Sequence, residues 1–315
     1  MTVALEHRPV RDTGLRLPSV GLGSAGIGGL YTSVSDAEAH AVVRHALEAG
    51  VCYVDTAPQY GHGTAERRIG EALAGLDRDA VILSTKVGRL IVPARDGDTG
   101  IFADAPPSNA VFDFSRDGIL RSLEASLERL GIDRVDVLLI HDPDDHEDQA
   151  LGEAFPVLAD LRAQGVVRAI GAGMNQTRVL ERFVRETDVD VVLVAGRYTL
   201  LDRVAATSLF PACVERNVAV VVGGVFNSGI LADHRPGAHY GYAPASAEIL
   251  ARARELAVTC ERYGVPLRAA ALRFPARHPA VTSILVGARS VAELDDCLTQ
   301  LQSDIPEDLW KELEG

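Results

Sequence analysis

Short apolar runs rich in β-branched residues alternate with helix-period segments along the whole chain, and few architectures tolerate such a rhythm. The runs are SVGLGSA (19–25), VCYVDTA (51–57), AVILSTKVG (80–88), RVDVLLIH (134–141), VVRAIGAGM (166–174), VDVVLVAG (189–196), VAVVVGGV (218–225) and VTSILVGA (281–288). They are near-continuous rather than alternating in and out, as strands covered on both faces require. A parallel sheet is expected.

The gaps read as helices. Ser35, Asp36, Ala37 and Glu38 form a capping-box signature before AHAVVRHALEA, and Gly50 supplies a left-handed stop. Ile119, Leu120, Leu123, Leu127 and Leu130 share one face of SRDGILRSLEASLERLG, between the cap Ser115 and the terminator Gly131. Further helices are expected at roughly 65–75, 150–164, 177–187, 245–264 and 290–301, with a fainter one near 205–217. Eight strands, each followed by a helix, specify a closed (β/α)8 TIM barrel, here one domain over residues 1–315. Two connections exceed plain barrel loops, 89–114 after the third strand and 226–245 after the seventh. Both are expected on the C-terminal face, where barrel enzymes hold their substrates.

The competing architecture is an open doubly wound sheet, because Gly21, Gly23 and Gly26 fit G-x-G-x-x-G. In that fold the third glycine opens the helix, whereas here the helix cap waits until Ser35. Charge narrows the partners. With 44 acidic against 31 basic residues the net charge is −13, so neither nucleic acid nor an anionic membrane is an expected partner. The segment MTVALEHRPVRDTG lacks the basic-then-apolar order of a leader, and no run approaches the roughly 18 apolar residues of a membrane span. A cytoplasmic location follows as an expectation. Cys52, Cys213, Cys260 and Cys297 are scattered without a C-x-x-C pair, and read as reduced, mostly packed thiols.

On this strand placement four polar residues fall at C-terminal strand ends: Asp55 and Tyr60 after the second, Lys86 on the third and His141 on the fourth. A phenol is a poor proton-transfer group near neutrality unless an ammonium favours its charged form, which Lys86 could supply. That ammonium needs a carboxylate beside it, and Asp55 offers one. His141 could orient the substrate oxygen or relay its proton. Singly, these residues read as a turn former, a rim aromatic, a snorkelling lysine and a satisfied core histidine; ending three successive strands, they read as a site. The stretch from His141 to His146 also offers histidines and carboxylates to a metal, although consecutive residues after a strand cannot all face one ion.

DTAPQYGHGTAERRIGEAL (55–73), STKVG (84–88), LLIHDPD (138–144) and GARSVAELDDCL (287–298) resemble the signatures of the aldo-keto reductase family, and the resemblance runs from GLGSAGIGG to the C-terminal helix. It implies a tetrad of Asp55, Tyr60, Lys86 and His141, a nicotinamide cofactor and no metal. Tyr60 would be the general acid in carbonyl reduction or the base in alcohol oxidation. Cofactor contacts implied by position are Gly23, Asn175, Tyr198, Gly223, Asn227, Gly287, Arg289, Glu293 and Asp296, with Phe102 and Phe226 on the substrate side. Departures from the family pattern lie near the nicotinamide: Asn175 stands for a Ser-Asn pair, Ala195 for a glutamine and Gly223 for a stacking aromatic.

VGGVFNSGIL and GAGMNQ resemble the branch of the family that contains aldose 1-dehydrogenases for L-fucose-type sugars, L-galactose dehydrogenases and pyridoxal 4-dehydrogenases. This implies oxidation of a cyclic hemiacetal, a sugar or pyridoxal, to a lactone, with general aldehyde or ketone reduction as an alternative. A cofactor-binding regulatory subunit is the reading from another class, and the intact tetrad opposes it. NAD is the expected cofactor and NADP the alternative, because Gly287 and Glu293 stand where NADP-preferring relatives carry the cations of Lys-Ser-x-x-x-x-Arg. Arg289 is the residue that could reverse that preference.

Overall fold

The eight apolar runs fold as strands in a computed structural model that describes residues 5–103 and 105–314. They are β1 (Val20–Gly23), β2 (Tyr53–Asp55), β3 (Ile82–Val87), β4 (Val137–His141), β5 (Ala169–Met174), β6 (Val191–Ala195), β7 (Ala219–Gly223) and β8 (Val281–Gly287). Each pairs in parallel with its sequence neighbours, and β8 pairs with β1, so the sheet closes into a (β/α)8 TIM barrel. Closure rules out the open doubly wound sheet. Gly21, Gly23 and Gly26 therefore belong to a barrel strand and the turn after it.

Helices cover the outside: α1 (Asp36–Glu48), α2 (Thr64–Leu73), α3 (Arg116–Leu130), α4 (Phe155–Ala163), α5 (Thr177–Glu186), α6 (Leu209–Arg216), α7 (Ala247–Arg262), α8 (Leu267–Arg273), α9 (Val291–Gln300) and α10 (Glu307–Glu314). The capping box at Ser35 and Glu38 forms reciprocally, and Gly50 takes the left-handed conformation after the helix. In α3 the cap at Ser115 and the left-handed Gly131 stand as expected, but the apolar face does not include Leu120, which is 37% exposed. Small Ser122 and Ser126 fill that face instead, beside Ile119 and Leu123, because the helix lies close to its neighbours. The segment ahead of α4 includes a π turn over Ala150–Ala154, and α7 is followed by a second helix, α8, that was not expected from the sequence.

Strand parity places the site. Every second residue of a barrel strand points into the lumen. Tyr53, Val137, Leu139, Ala169, Val191, Leu193, Ala219, Val221 and Leu285 form one inner cluster. It is closed from below by Val10, Leu15 and Leu17 around an N-terminal hairpin, His7–Pro9 paired with Arg16–Pro18. Two residues further along the same strands, the top inward layer reads Gly23, Asp55, Lys86, His141, Gly173, Ala195, Gly223 and Gly287. Polar groups occupy β2 to β4. Glycine or alanine ends the rest.

The long connections gather over this layer. The one after β3 builds a two-stranded ribbon, Arg89–Pro93 against Ser108–Phe112, and its Phe102 bridges to Leu30 in the connection after β1. The one after β7 carries a short hairpin, His239–Tyr240 with Ala243–Pro244, and its His239 stacks on Tyr31 at 4.8 Å between ring centres. Three strand-end loops are thus tied to one another above the barrel mouth. Cys213, Cys260 and Cys297 are buried and Cys52 is half-buried; all four are free thiols.

Candidate active site

Asp55, Tyr60, Lys86 and His141 meet at the mouth. The Lys86 ammonium has three donors and uses each: 2.8 Å to Asp55 Oδ2, 2.9 Å to the Thr56 carbonyl and 3.1 Å to Tyr60 Oη. Ser84 Oγ donates to Asp55 Oδ1 at 2.7 Å and lies 3.1 Å from the Tyr53 hydroxyl, so the carboxylate is gripped from both sides. The Tyr60 ring stands edge-on to His141 at 6.0 Å and lies 6.4 Å from Phe102. Tyr60 sits in a tight turn that Gly61 makes possible: Gly61 has φ +61°, and a Cβ there would meet the Gly28 carbonyl at 2.2 Å.

Electrostatics bear on the resting state of the phenol. Burial, with the Asp55 and Asp142 carboxylates, pushes the Tyr60 phenol well above its ordinary value, and Arg89 opposes them only in part. The resting phenol therefore holds its proton, as a general acid must, rather than being poised as the phenolate. Burial, then Arg89 and Lys86, hold His141 well below the ordinary imidazole value, so it is neutral. Its Nδ1 is buried with no partner among the described residues, and its Nε2 lies 3.5 Å from Asp142 Oδ2. Nε2, rather than the buried Nδ1, is the nitrogen left to bind a substrate oxygen, and a neutral imidazole there would not compete for Tyr60's proton.

The small residues of the top layer fit a flat ring. A Cβ built on Gly23, Gly223 or Gly287 would meet only ordinary van der Waals contacts, the nearest at 3.5, 3.6 and 3.9 Å respectively, so no clash requires glycine there, and the absence of a side chain keeps the floor low. Beside it, Asn227 is held by a bond from its Nδ2 to the Gly196 carbonyl at 3.1 Å, while its buried Oδ1 has no partner. Asn175 follows the end of β5, and its carbonyl accepts from Arg197 at 3.1 Å. An acceptor without a donor and a floor without side chains are what an amide-bearing aromatic group would fill.

Four further positions singled out in the sequence are held by protein partners. Tyr198 is 8% exposed and packs with Phe210, Phe274 and His278 at 4.8 to 5.5 Å between ring centres, in an aromatic cluster. Asp296 lies beyond the first turn of α9, ion-paired to Arg268 at 3.1 Å and bonded to Gln300. Glu293 is not a lone carboxylate. It takes Arg289 Nη2 at 2.7 Å and the Arg289 amide at 2.8 Å, and although burial works against it, these bonds hold its carboxyl below the ordinary range. Phe226 is half-buried against the outer core, whereas Phe102 touches the site directly.

The site also contains residues that sequence reasoning passed over. Arg89, the first residue of the long ribbon, reaches Asp142 Oδ2 at 2.5 Å and lies over the Phe112 ring. His146 packs against Phe112 and Phe114 at 5.4 and 5.5 Å, so the two histidines of the suspected metal stretch are drawn to different surroundings. Among the described residues no group of three or more His, Cys, Asp or Glu side chains could hold a metal ion. A surface groove between α2 and α3, lined by Gly70, Leu73, Leu130 and Gly131, lies on the barrel's flank and contains none of the four mouth residues.

Comparison with known proteins agrees. The aldo/keto reductase family model matches residues 19–315. D-threo-aldose 1-dehydrogenase of a Pseudomonas species is 43% identical over 309 residues, covering 95% of this chain and 94% of its own. Pyridoxal 4-dehydrogenase of Microbacterium luteolum is 41% identical over 334 residues, covering 98% and 97%. A holo-form aldo-keto reductase of Bacillus halodurans superposes with a TM-score of 0.76 over 99% of this chain and 96% of its own, at 23% identity.

Proposed function

The chain belongs to the aldo/keto reductase family of nicotinamide-dependent oxidoreductases, and from that premise we propose that it oxidises the anomeric hydroxyl of an aldose of the L-fucose or D-threo type to a lactone. The observation that carries the reading is the Lys86 ammonium joined at once to Asp55, Thr56 and Tyr60. It fixes one phenol at the mouth of the barrel beside a neutral histidine. Gly23, Gly223 and Gly287 would leave room for a nicotinamide ring, and Asn227 and Asn175 would be the residues to hold its amide; when bound, the group would supply the hydride chemistry.

The chain's own residues handle the proton. Tyr60 Oη takes the hydroxyl proton in oxidation and donates it in reduction, and His141 holds the substrate oxygen so that it reaches Tyr60. Phe102 walls the substrate side. Anomeric oxidation is chemically favoured because the product ester is resonance-stabilised and then hydrolyses. Pyridoxal, whose cyclic hemiacetal gives the same product type, is the second reading, supported by a pyridoxal dehydrogenase nearly as similar as the aldose enzyme. Absorbance in the NADH band after mixing protein, NAD and a panel of aldoses with pyridoxal is expected to rise first with an aldose. A rise with pyridoxal alone would exchange the two readings, and no rise with any of them would end both.

NAD is the proposed cofactor of choice. Ser290 caps α9, and the neighbouring cation Arg289 is neutralised by Glu293, so a 2′-phosphate would have to displace a carboxylate to gain a partner. The pair is neutral overall, which makes the preference milder than a bare carboxylate would. Glu293→Gln frees the guanidinium and should raise the NADP-to-NAD ratio of kcat/KM about tenfold, the equivalent of about 1.4 kcal/mol. An unchanged ratio, or a wild type at least ten times better with NADP, would overturn this assignment.

A further inference from the structure

We propose that Asp142 is the acceptor for a substrate hydroxyl next to the reacting carbon, so that the site selects hydroxylated aldehydes and their hemiacetals over plain ones. The inference deepens the function proposed above and rests on it. Asp142 follows His141 at the end of β4 and turns back on itself, with φ 41° and its amide bonded to the Gly173 carbonyl at 3.1 Å. The left-handed conformation is one that aspartate tolerates better than most side chains. It places the carboxylate beside the imidazole that faces the reacting oxygen.

The two carboxylate oxygens differ in employment. Oδ2 accepts from Arg89 Nη2 and lies 3.5 Å from His141 Nε2. No hydrogen bond reaches Oδ1 among the described residues, and the side chain keeps 29% of its surface exposed at the mouth. Arg89 is itself braced over the Phe112 ring at 4.7 Å, so the carboxylate is clamped in place rather than free to swing out to solvent. Its charge is felt by Tyr60, and burial pushes the Asp142 carboxyl up against the pull of Arg89. Once a bound substrate covers it and displaces its water, this clamped acceptor oxygen would be satisfied by a hydroxyl donor and left short by a methylene. Sites built to bond a hydroxyl discriminate strongly against analogues lacking it, because the buried partner then goes unpaired. A sugar carries such a hydroxyl on the carbon beside its anomeric centre. Simple aldehydes do not.

Glyceraldehyde and propanal share a three-carbon skeleton and differ in their hydroxyls, which makes them the test pair. Steady-state reduction by the wild-type enzyme with NADH is expected to favour glyceraldehyde at least tenfold in kcat/KM. Asp142→Ala should bring that ratio below about threefold, chiefly through KM for glyceraldehyde. Asp142→Asn, which keeps the side chain's shape and one acceptor oxygen, should fall between the two and guards against a folding defect in the alanine variant. A ratio unchanged in both variants overturns the proposal. So does an equal fall for both aldehydes, since that is the signature of a residue acting only through His141. A wild type that reduces both aldehydes equally well, or neither, overturns the proposal alone, whereas the proposed function falls only if neither an aldose nor pyridoxal reduces NAD.

Discussion

Tyr60→Phe is expected to lower turnover by roughly 10²–10⁴-fold while leaving NAD binding nearly unchanged, because it removes one oxygen and keeps the ring that packs against Phe102 and His141. The loss should appear in kcat and kcat/KM together, since the proton passes only in the transition state. His141 is no substitute: its imidazole is held neutral and well below its ordinary value, so it can orient an oxygen but cannot donate a proton near neutral pH. The phenol's own raised value fixes the pH dependence. Tyr60 keeps its proton until the pH is high, so reduction should persist across neutral and mildly alkaline pH, and oxidation, which needs the phenol to give up that proton, should accelerate as pH rises. Both trends should vanish in Tyr60→Phe. Turnover within threefold of wild type, with NAD affinity read by fluorescence titration, would remove Tyr60 from the mechanism.

The parts of the molecule legible in the sequence are those set by short-range pattern. Runs such as LLI in β4 and VVV in β7 are buried on both faces, so their hydropathy alone specified a covered parallel strand. Ser35 and Ser115 carried their caps within four residues, and both formed. The tetrad was legible for a related reason: period-two parity sends Asp55, Lys86 and His141 inward once the strand frames are right. What escaped was decided by distant packing. Nothing local shows that Tyr198 would be claimed by Phe274, 76 positions on, or Asp296 by Arg268 across two helices. Glu293 looked like an isolated charge because its partner Arg289 had been weighed separately, although the four-residue spacing within GARSVAELDDCL could have joined them. Asp142 was weighed only as part of a metal stretch; its partner Arg89 lies 53 residues away, at the root of a ribbon whose fold the sequence did not announce.

The second large effect is on stability, and it comes from the same lysine that carries the functional reading. Lys86 and Asp55 are each 1% exposed and are 2.8 Å apart at the floor of the mouth. Lys86→Met preserves much of the side chain's volume but leaves a buried carboxylate facing the phenol of Tyr60 and the Thr56 carbonyl with no cation between them. Breaking such a pair from one side costs about 3–5 kcal/mol, most of it the penalty of the charge left behind rather than the lost attraction. Urea unfolding followed by circular dichroism should show that loss. The double variant Asp55→Leu/Lys86→Met discriminates the cause: removing both charges leaves nothing to strand, so it should be more stable than Lys86→Met alone even though it carries one more substitution. A double variant less stable than the single would mean that the floor depends on the geometry of the bonds from Ser84 and Lys86, not on charge balance. A Lys86→Met protein within about 1 kcal/mol of wild type would mean that water reaches Asp55, and the dry, pre-arranged mouth on which Tyr60's raised value depends would have to be given up with it.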